Sequence, residues 1–302
     1  MSWLQPTPVP KVHLLDAGLK KVDDYTGVYL INTEHPAIVE TGFSYSVPRI
    51  LEGLEQLGIA PEAVRYIVPT HIHMDHAGGA AGLAEACPNA KVFVHDQAAK
   101  FLVDPSHLVN SVARAVGVLF DRYGTMHPIS EDRLERVRGG ESYALEEGFT
   151  LQVVYAPGHA PHQFCLFVPE HRALFTADAC GIHRKPIGKL VPTTPPPAFY
   201  LGQSLDTLNT LKALQPKTLL YTHFGAFDTQ DLIDRYAELL TRWVADVEDT
   251  LDTLQDPEAV LKHFVRKLTP LLQGHYDPVM VQQEIEMNTQ GVLLYLKRQR
   301  EG

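Results

Sequence analysis

Thr70-His71-Ile72-His73-Met74-Asp75-His76-Ala77-Gly78-Gly79 is the stretch whose reading decides the rest of the chain. Four candidate ligands, His71, His73, Asp75 and His76, fall within six consecutive positions. They follow Arg65-Tyr-Ile-Val-Pro-Thr70, which reads as a short buried strand, and lead into the small-residue run Ala77–Cys87, which reads as a helix. His71 and His73, two apart, point the same way from extended backbone, and Asp75 and His76 turn toward the same space as the helix begins. Neutral imidazole suits zinc and other borderline transition metals, and a carboxylate adds charge. Gly78 and Gly79 let backbone pack closely behind the ligands.

Working outward, three more candidate ligands stand at the ends of three further strand-like runs. They are His159 in Ala156-Pro-Gly-His-Ala160, Asp178 in Phe175-Thr-Ala-Asp-Ala179, and His223 in Tyr221-Thr-His-Phe-Gly225. In open α/β sheets ligands gather beyond the carboxyl ends of strands, so seven such residues form one coherent site.

The flanking segments support sheets covered by helices. Gly27–Asn32 and Pro36–Thr41 read as a hairpin, Pro48–Leu57 as a helix stopped by Gly58, and Ala90–His95, Phe149–Tyr155, Gln163–Val168, Ala173–Thr176 and Thr218–Thr222 as strands. A helical insertion over about 97–139 breaks the rhythm. Its Leu108, Val112, Ala115, Val116 and Leu119 recur at helical spacing, widened by Val118 and Phe120, with Tyr123-Gly124 as a hinge. This segment reads as a lid over the site, with an ordinary surface excursion as the alternative. After Asp228 only helix is expected. Leu232, Tyr236, Leu239, Trp243, Val247, Leu251 and Leu254 form one stripe, and Asp256-Pro257 and Asp277-Pro278 each start a further helix. The chain thus divides into a catalytic domain, 1–228, and a helical appendage, 229–302. The Trp243 stripe reads as core between the two, with a homodimer interface as the sharper alternative.

Composition bounds the function. The 302 residues can bury a large core, with 45% apolar and 21% charged residues. Lys and Arg number 26 against 36 Asp and Glu, a net charge of −10, which disfavours a dedicated nucleic-acid binder. The three scattered cysteines, Cys87, Cys165 and Cys180, point to reduced thiols in a cytoplasm, and the N-terminus lacks the pattern of a secretory leader. No apolar run reaches the roughly 20 residues that span a bilayer.

The pattern His-x-His-x-Asp-His, then Pro-Gly-His, then an Asp after a strand, then a strand-terminal His resembles the metallo-β-lactamase-fold superfamily, from about residue 12 to 225. The resemblance implies an α/β fold, a four-layer αββα sandwich carrying the C-terminal helical appendage, with two divalent metal ions between the sheets. It implies that His71, His73 and His159 hold one ion, that Asp75, His76 and His223 hold the other, and that Asp178 bridges them. Zinc is the expected metal, with iron or manganese as alternatives. Glu40-Thr41-Gly42 departs from the Asp-Thr-Gly of many relatives, so the support behind the ligands is expected to differ.

Such a pair of ions presents a metal-bridged hydroxide at neutral pH and polarises a carbonyl or phosphoryl oxygen, with Asp75 and Asp178 as the catalytic carboxylates that orient it. The leading reading is a hydrolase of a small acyl substrate, an ester, thioester or lactone, of the glyoxalase II and lactonase type. Ala179-Cys-Gly-Ile-His-Arg-Lys185 matches neither the stretch after the bridging Asp in glyoxalase II relatives nor the tyrosine of homoserine-lactonase relatives, so the subfamily stays open. The alternatives are a phosphodiesterase or nuclease, and an iron-dependent oxidoreductase like the persulfide dioxygenases. The second-metal set Asp75, His76 and His223 leans against the latter, and His73 against the diiron electron-transfer relatives, which carry Glu there. His162, His183, Tyr200, Tyr123 and Phe120 are the candidate substrate-binding residues. The expected partner is a small molecule, with no nucleic acid and no membrane.

Overall fold

The computed structural model describes residues 3–20, 22–116, 120–229, 231–274 and 276–301. Strands β1 (Leu4–Pro6), β2 (Val12–Asp16), β3 (Gly27–Ile31), β4 (Ala37–Val39), β5 (Tyr66–Val68), β6 (Lys91–His95) and β7 (Leu134–Val137) form one sheet in that order. The strands are antiparallel from β1 to β4 and parallel from β4 to β7. A second sheet runs β15 (Gly225–Asp228), β14 (Thr218–Tyr221), β11 (Ala173–Ala177), β10 (Phe164–Val168), β9 (Phe149–Tyr155), β8 (Ser142–Glu146). A separate hairpin pairs β12 (Ile182–Arg184) with β13 (Lys189–Val191).

Strand periodicity explains the layering. Both faces of β3 are buried, so Val28 and Leu30 face one core while Tyr29 and Ile31 face another. Tyr29, Ile31, Val39, Val68 and Phe93 meet Leu151, Val153, Phe164, Leu166 and Phe175 in the core between the sheets. The outer face of the first sheet is covered by α1 (Val47–Gln56), the one-turn α2 (Met74–Ala77), α3 (Ala80–Ala86) and α4 (Ala99–Val103). The outer face of the second sheet is covered by α7 (Leu201–Ala213), α8 (Leu232–Leu254), α9 (Pro257–Leu272) and α10 (Pro278–Glu301). The molecule is therefore the expected αββα sandwich with a C-terminal helical region.

The expected long insertion is shorter than the sequence suggested. Its final part is β7, an edge strand that pairs in parallel with β6 and buries Leu134 and Val137 at its two ends. The two apolar residues are separated by Glu135 and Arg136, too weak a pattern to announce a strand. The remaining insertion is α5 (Ser106–Val116), α6 (Phe120–Tyr123) and a loop. Leu108, Val109, Val112 and Phe120 pack against the core of the first sheet's helical layer, so this apolar face serves the body of the protein. Val118 and Leu119 lie outside the described residues.

The C-terminal helices start at the two Asp-Pro pairs: Asp256 and Asp277 each accept a backbone N–H two residues on, from Glu258 at 3.0 Å and Val279 at 2.9 Å. Leu232, Tyr236, Trp243 and Val247 are buried in the core shared with the second sheet, and Leu239 and Leu251 pack against it, while Leu254 is exposed. The stripe is thus covered within the chain. Among the described residues no helix is long and apolar enough to cross a membrane.

Candidate metal centre

Every candidate ligand sits just beyond the carboxyl end of a strand. His71 and His73 follow β5, with Asp75 and His76 in the first turn of α2. His159 follows β9, Asp178 follows β11, and His223 follows β14. A register shift between Phe175 and Ala177, with Ala177 at φ 47°, re-aims the chain immediately before Asp178. Behind α2 the backbone comes so close that a Cβ at Gly79 would stand 2.3 Å from the Thr41 carbonyl oxygen, so only glycine fits.

The seven side chains meet in two outer groups joined by a third, His71, His76 and Asp178. His71 Nε2 lies 2.8 Å from His73 Nδ1, and His159 Nε2 lies 3.1 Å from the same atom. Tetrahedral imidazole ligands about 2.0–2.1 Å from a zinc ion would be spaced by about 3.3 Å, close to this arrangement. Asp75, His76 and His223 form the second group. His223 Nε2 is 3.3 Å from Asp75 Oδ2, and His76 Nε2 is 3.8 Å from it. Asp178 lies between the groups, with Oδ2 3.4 Å from His159 Nε2 and Oδ1 3.5 Å from His76 Nε2.

Electrostatics separates the groups. Burial, reinforced by neighbouring histidines, holds His71 well below the usual imidazole range and pushes His73 and His159 down to about 3. These three rings are neutral and offer lone pairs. Burial also opposes charge on His76, but Glu40, Asp178 and Asp75 outweigh it and raise that ring to about 10. His223 is raised by Asp178 and Asp75 against the effect of burial. Burial would raise Asp75, yet His76, His223 and His73 hold it below the ordinary carboxylate range.

A divalent cation fits this environment. Among the described residues, Glu40, Asp75 and Asp178 make ion pairs with histidines and none with Lys or Arg. His76 Nε2 and Asp178 Oδ1 are buried without a hydrogen bond. Buried polar atoms left this way are costly, and a shared cation would satisfy both.

Supporting groups fix the ligands. Glu40, fully buried and at φ 65°, accepts from Thr70 Oγ1 at 2.7 Å and Thr222 Oγ1 at 3.0 Å, and its Oε1 stands 3.0 Å from His76 Nδ1. The longer Glu therefore ties the strands β5 and β14 to His76, the altered support expected from Glu40-Thr41-Gly42. Thr193 backs His159, its carbonyl 3.4 Å from Nδ1. The Tyr25 carbonyl lies 2.6 Å from His223 Nδ1. That contact makes Nδ1 the protonated nitrogen and leaves Nε2 to face Asp75.

The substrate candidates separate. His162 lies beside the first group, its ring 6.3 Å from those of His71 and His73. His183 lines a small cleft with Tyr25, Arg184, His223 and Tyr276, its own ring tilted 33° against Phe227 at 3.9 Å. Tyr123 packs edge-on to Phe43 at 5.7 Å, and burial together with the nearby Asp75 charge raises its hydroxyl. Tyr200 and Phe120 are not brought to the centre. Tyr200 is exposed, packs on Tyr295 and accepts from Gln299 at 3.4 Å, while Phe120 joins the helical layer. Tyr25, Tyr45, Thr193 and Arg184 were not foreseen. They come from loops and a short hairpin with no ligand-like spacing.

The metallo-beta-lactamase superfamily model matches residues 23–223. Over 240 residues the chain is 28% identical to the metallo-beta-lactamase fold-containing protein ST1585 of Sulfurisphaera tokodaii, spanning 78% of this chain and 86% of that one. The solved structure of ST1585 superposes with a TM-score of 0.70, covering 95% of this chain and 99% of the other at 24% identity. Shorter similarities reach a putative diflavin flavoprotein of Thermosynechococcus vestitus, 28% identical over 51% of this chain and 23% of that protein. The thioesterase pkgB of Emericella nidulans is 26% identical over 51% of this chain and 35% of its own length.

Proposed function

The chain belongs to the metallo-beta-lactamase superfamily, and from that premise we propose that it is a metal-dependent hydrolase of a small acyl substrate, an ester, thioester or lactone. The observation that carries the proposal is the convergence of two ligand groups with Asp178 between them. In this reading His71, His73 and His159 hold one divalent ion, Asp75, His76 and His223 hold the other, and each oxygen of Asp178 faces a different group. Two such ions, zinc in this proposal, supply Lewis acidity that activates water and polarises a carbonyl.

The chain's own residues do the rest. Asp75 is the most solvent-accessible of the carboxylates at the centre, its side chain 21% exposed against 5% for Asp178. It is ionised, so it accepts a proton at a carboxylate oxygen and returns it to the leaving group. Asp178, buried between the groups, orients the water. Phe43, Tyr45 and Tyr123 pack together beside Asp75 and give the substrate an aromatic wall that excludes water. That wall, the net charge of −10 and the thioesterase among the relatives favour an uncharged acyl group over a polyanion. The three buried free cysteines suit a reducing cytoplasm.

The test combines elemental analysis with a substrate panel of thioesters, lactones and bis-p-nitrophenyl phosphate. About two ions per chain and cleavage of acyl substrates are expected. A single ion after reconstitution with excess zinc or manganese, or a wide preference for the phosphodiester, would overturn the reading.

A further inference from the structure

The loop from Ala17 to Thr26 supplies Tyr25, whose carbonyl sits against His223 Nδ1. Residues Gly18, Lys20 and Asp24 of that loop stand at positive φ, and apart from an isolated bridge between Leu19 and Val22 its described residues form no strand or helix. Asp16 accepts from Asp24 N–H at 3.0 Å and Lys185 pairs with Asp24 at 2.9 Å, and two further contacts on the loop's end come from the C-terminal segment. The Tyr25 hydroxyl donates to Glu284 Oε1 at 2.9 Å, and the Tyr276 hydroxyl donates to the Asp24 carbonyl at 3.0 Å. The Tyr25 ring packs edge-on between those of His223, 5.5 Å away, and Tyr276, 6.3 Å away.

Glu284 is itself fixed. It lies on α10 with its side chain only 12% exposed, and its other oxygen pairs with the buried Arg184. Arg184 donates to the Leu272 carbonyl at 3.1 Å and lies over the Tyr276 ring. It also ends the strand whose His183 exchanges backbone hydrogen bonds with the His223–Phe224 segment. A carboxylate on the last helix therefore stands two contacts from a nitrogen that fixes the tautomer of His223.

We propose that Glu284 is a positioning residue for the second metal-binding group. Through the Tyr25 hydroxyl it holds the Tyr25 carbonyl against His223 Nδ1, which fixes the ring with Nε2 turned toward Asp75. Glu284 then sets the affinity of the Asp75–His76–His223 group and leaves that of His71–His73–His159 untouched. Loss of such a supporting contact costs about 10–100-fold in metal affinity.

The inference rests on the two-ion reading of the centre and is independent of the acyl substrate. Its test is zinc binding to the full chain by competition with a graded chelator, alongside thermal unfolding of the metal-free protein. Wild type should show two steps. Tyr25→Phe and Glu284→Ala should weaken the weaker step at least about tenfold and leave the tighter step in place. Arg300→Ala, which removes an exposed ion-pair partner of Asp252 and Glu248 on the same helix, is the control for a loosened helix and should leave both steps unchanged. Tyr25→Phe keeps the Glu284–Arg184 pair, so it decides the matter if Glu284→Ala fails to fold. Two unaltered steps in Tyr25→Phe would overturn the role of Glu284, as would equal weakening in Arg300→Ala. A single step in wild type would instead overturn the two-ion reading.

Discussion

Asp178 presents Oδ2 to His159 and Oδ1 to His76, so one carboxylate serves two groups of histidines. His223 serves only the second group, near Asp75. On the proposed two-ion reading, replacing Asp178 by Ala leaves two adjacent cation positions without the charge between them, whereas replacing His223 by Ala removes one imidazole ligand. Asp178→Ala is therefore expected to lose both ions and to retain at least about tenfold less hydrolysis than His223→Ala, which keeps the first ion. Steady-state kinetics with elemental analysis of both variants decides this. Equal residual activity with metal content unchanged in both would remove the bridging role. The seven residues were legible in sequence because ligand spacing is local and each follows a recognisable strand. Glu40 was legible only as a departure, because its partners Thr70, His76 and Thr222 come from distant positions. Tyr25 carried no signal at all, since what matters there is a backbone carbonyl.

At the scale of elements, the insertion divides its labour. The apolar positions Leu108, Val112 and Phe120 of α5 and α6 were expected to wall the site, but they bury against the helical layer of the first sheet. Tyr123, at the end of α6, belongs with Phe43 beside the centre. Its hydroxyl is raised by burial and by Asp75, so it stays protonated at neutral pH and is a donor there. Tyr123→Phe is expected to lower kcat/KM toward acyl substrates about tenfold or more, the scale of one hydrogen bond to a developing charge, with metal content unchanged. Kinetics equal to wild type would assign Tyr123 to packing alone. Strand β7 and the hairpin β12–β13 escaped the sequence reading for a related reason: short edge and ribbon strands expose half their residues, which dilutes the alternation that identifies them.

The whole molecule depends on its last three helices more than a division at residue 228 implies. Trp243, Phe264, Met280, Ile285 and Val292 share one core with Phe167, Leu174 and Tyr221 of the second sheet. The same helices hold both sides of the centre. Asn288 accepts from Thr194 N at 2.5 Å, beside the Thr193 that backs His159, and Glu284 holds the Tyr25 that backs His223. A chain truncated after Asp228 would expose this core face, and it is expected to be insoluble or to unfold at markedly lower urea than the full chain, with neither metal group retained. Circular dichroism during urea titration checks this, and a truncated chain that folds cooperatively with two bound ions would restore the simple two-domain division. By itself the sequence showed strands alternating with helices, the seven candidate ligands and the starts of the last two helices, all written in short-range patterns of period two, period 3.6 or ligand spacing, while the four-layer sandwich was implied by the family resemblance. Only the tertiary structure decided which faces of the insertion were buried, which loops stood behind His159 and His223, and that residues of the C-terminal helices contact those loops. Those contacts join residues up to 259 positions apart, Tyr25 and Glu284 among them, and no local pattern encodes a pairing that only folding brings within 2.9 Å.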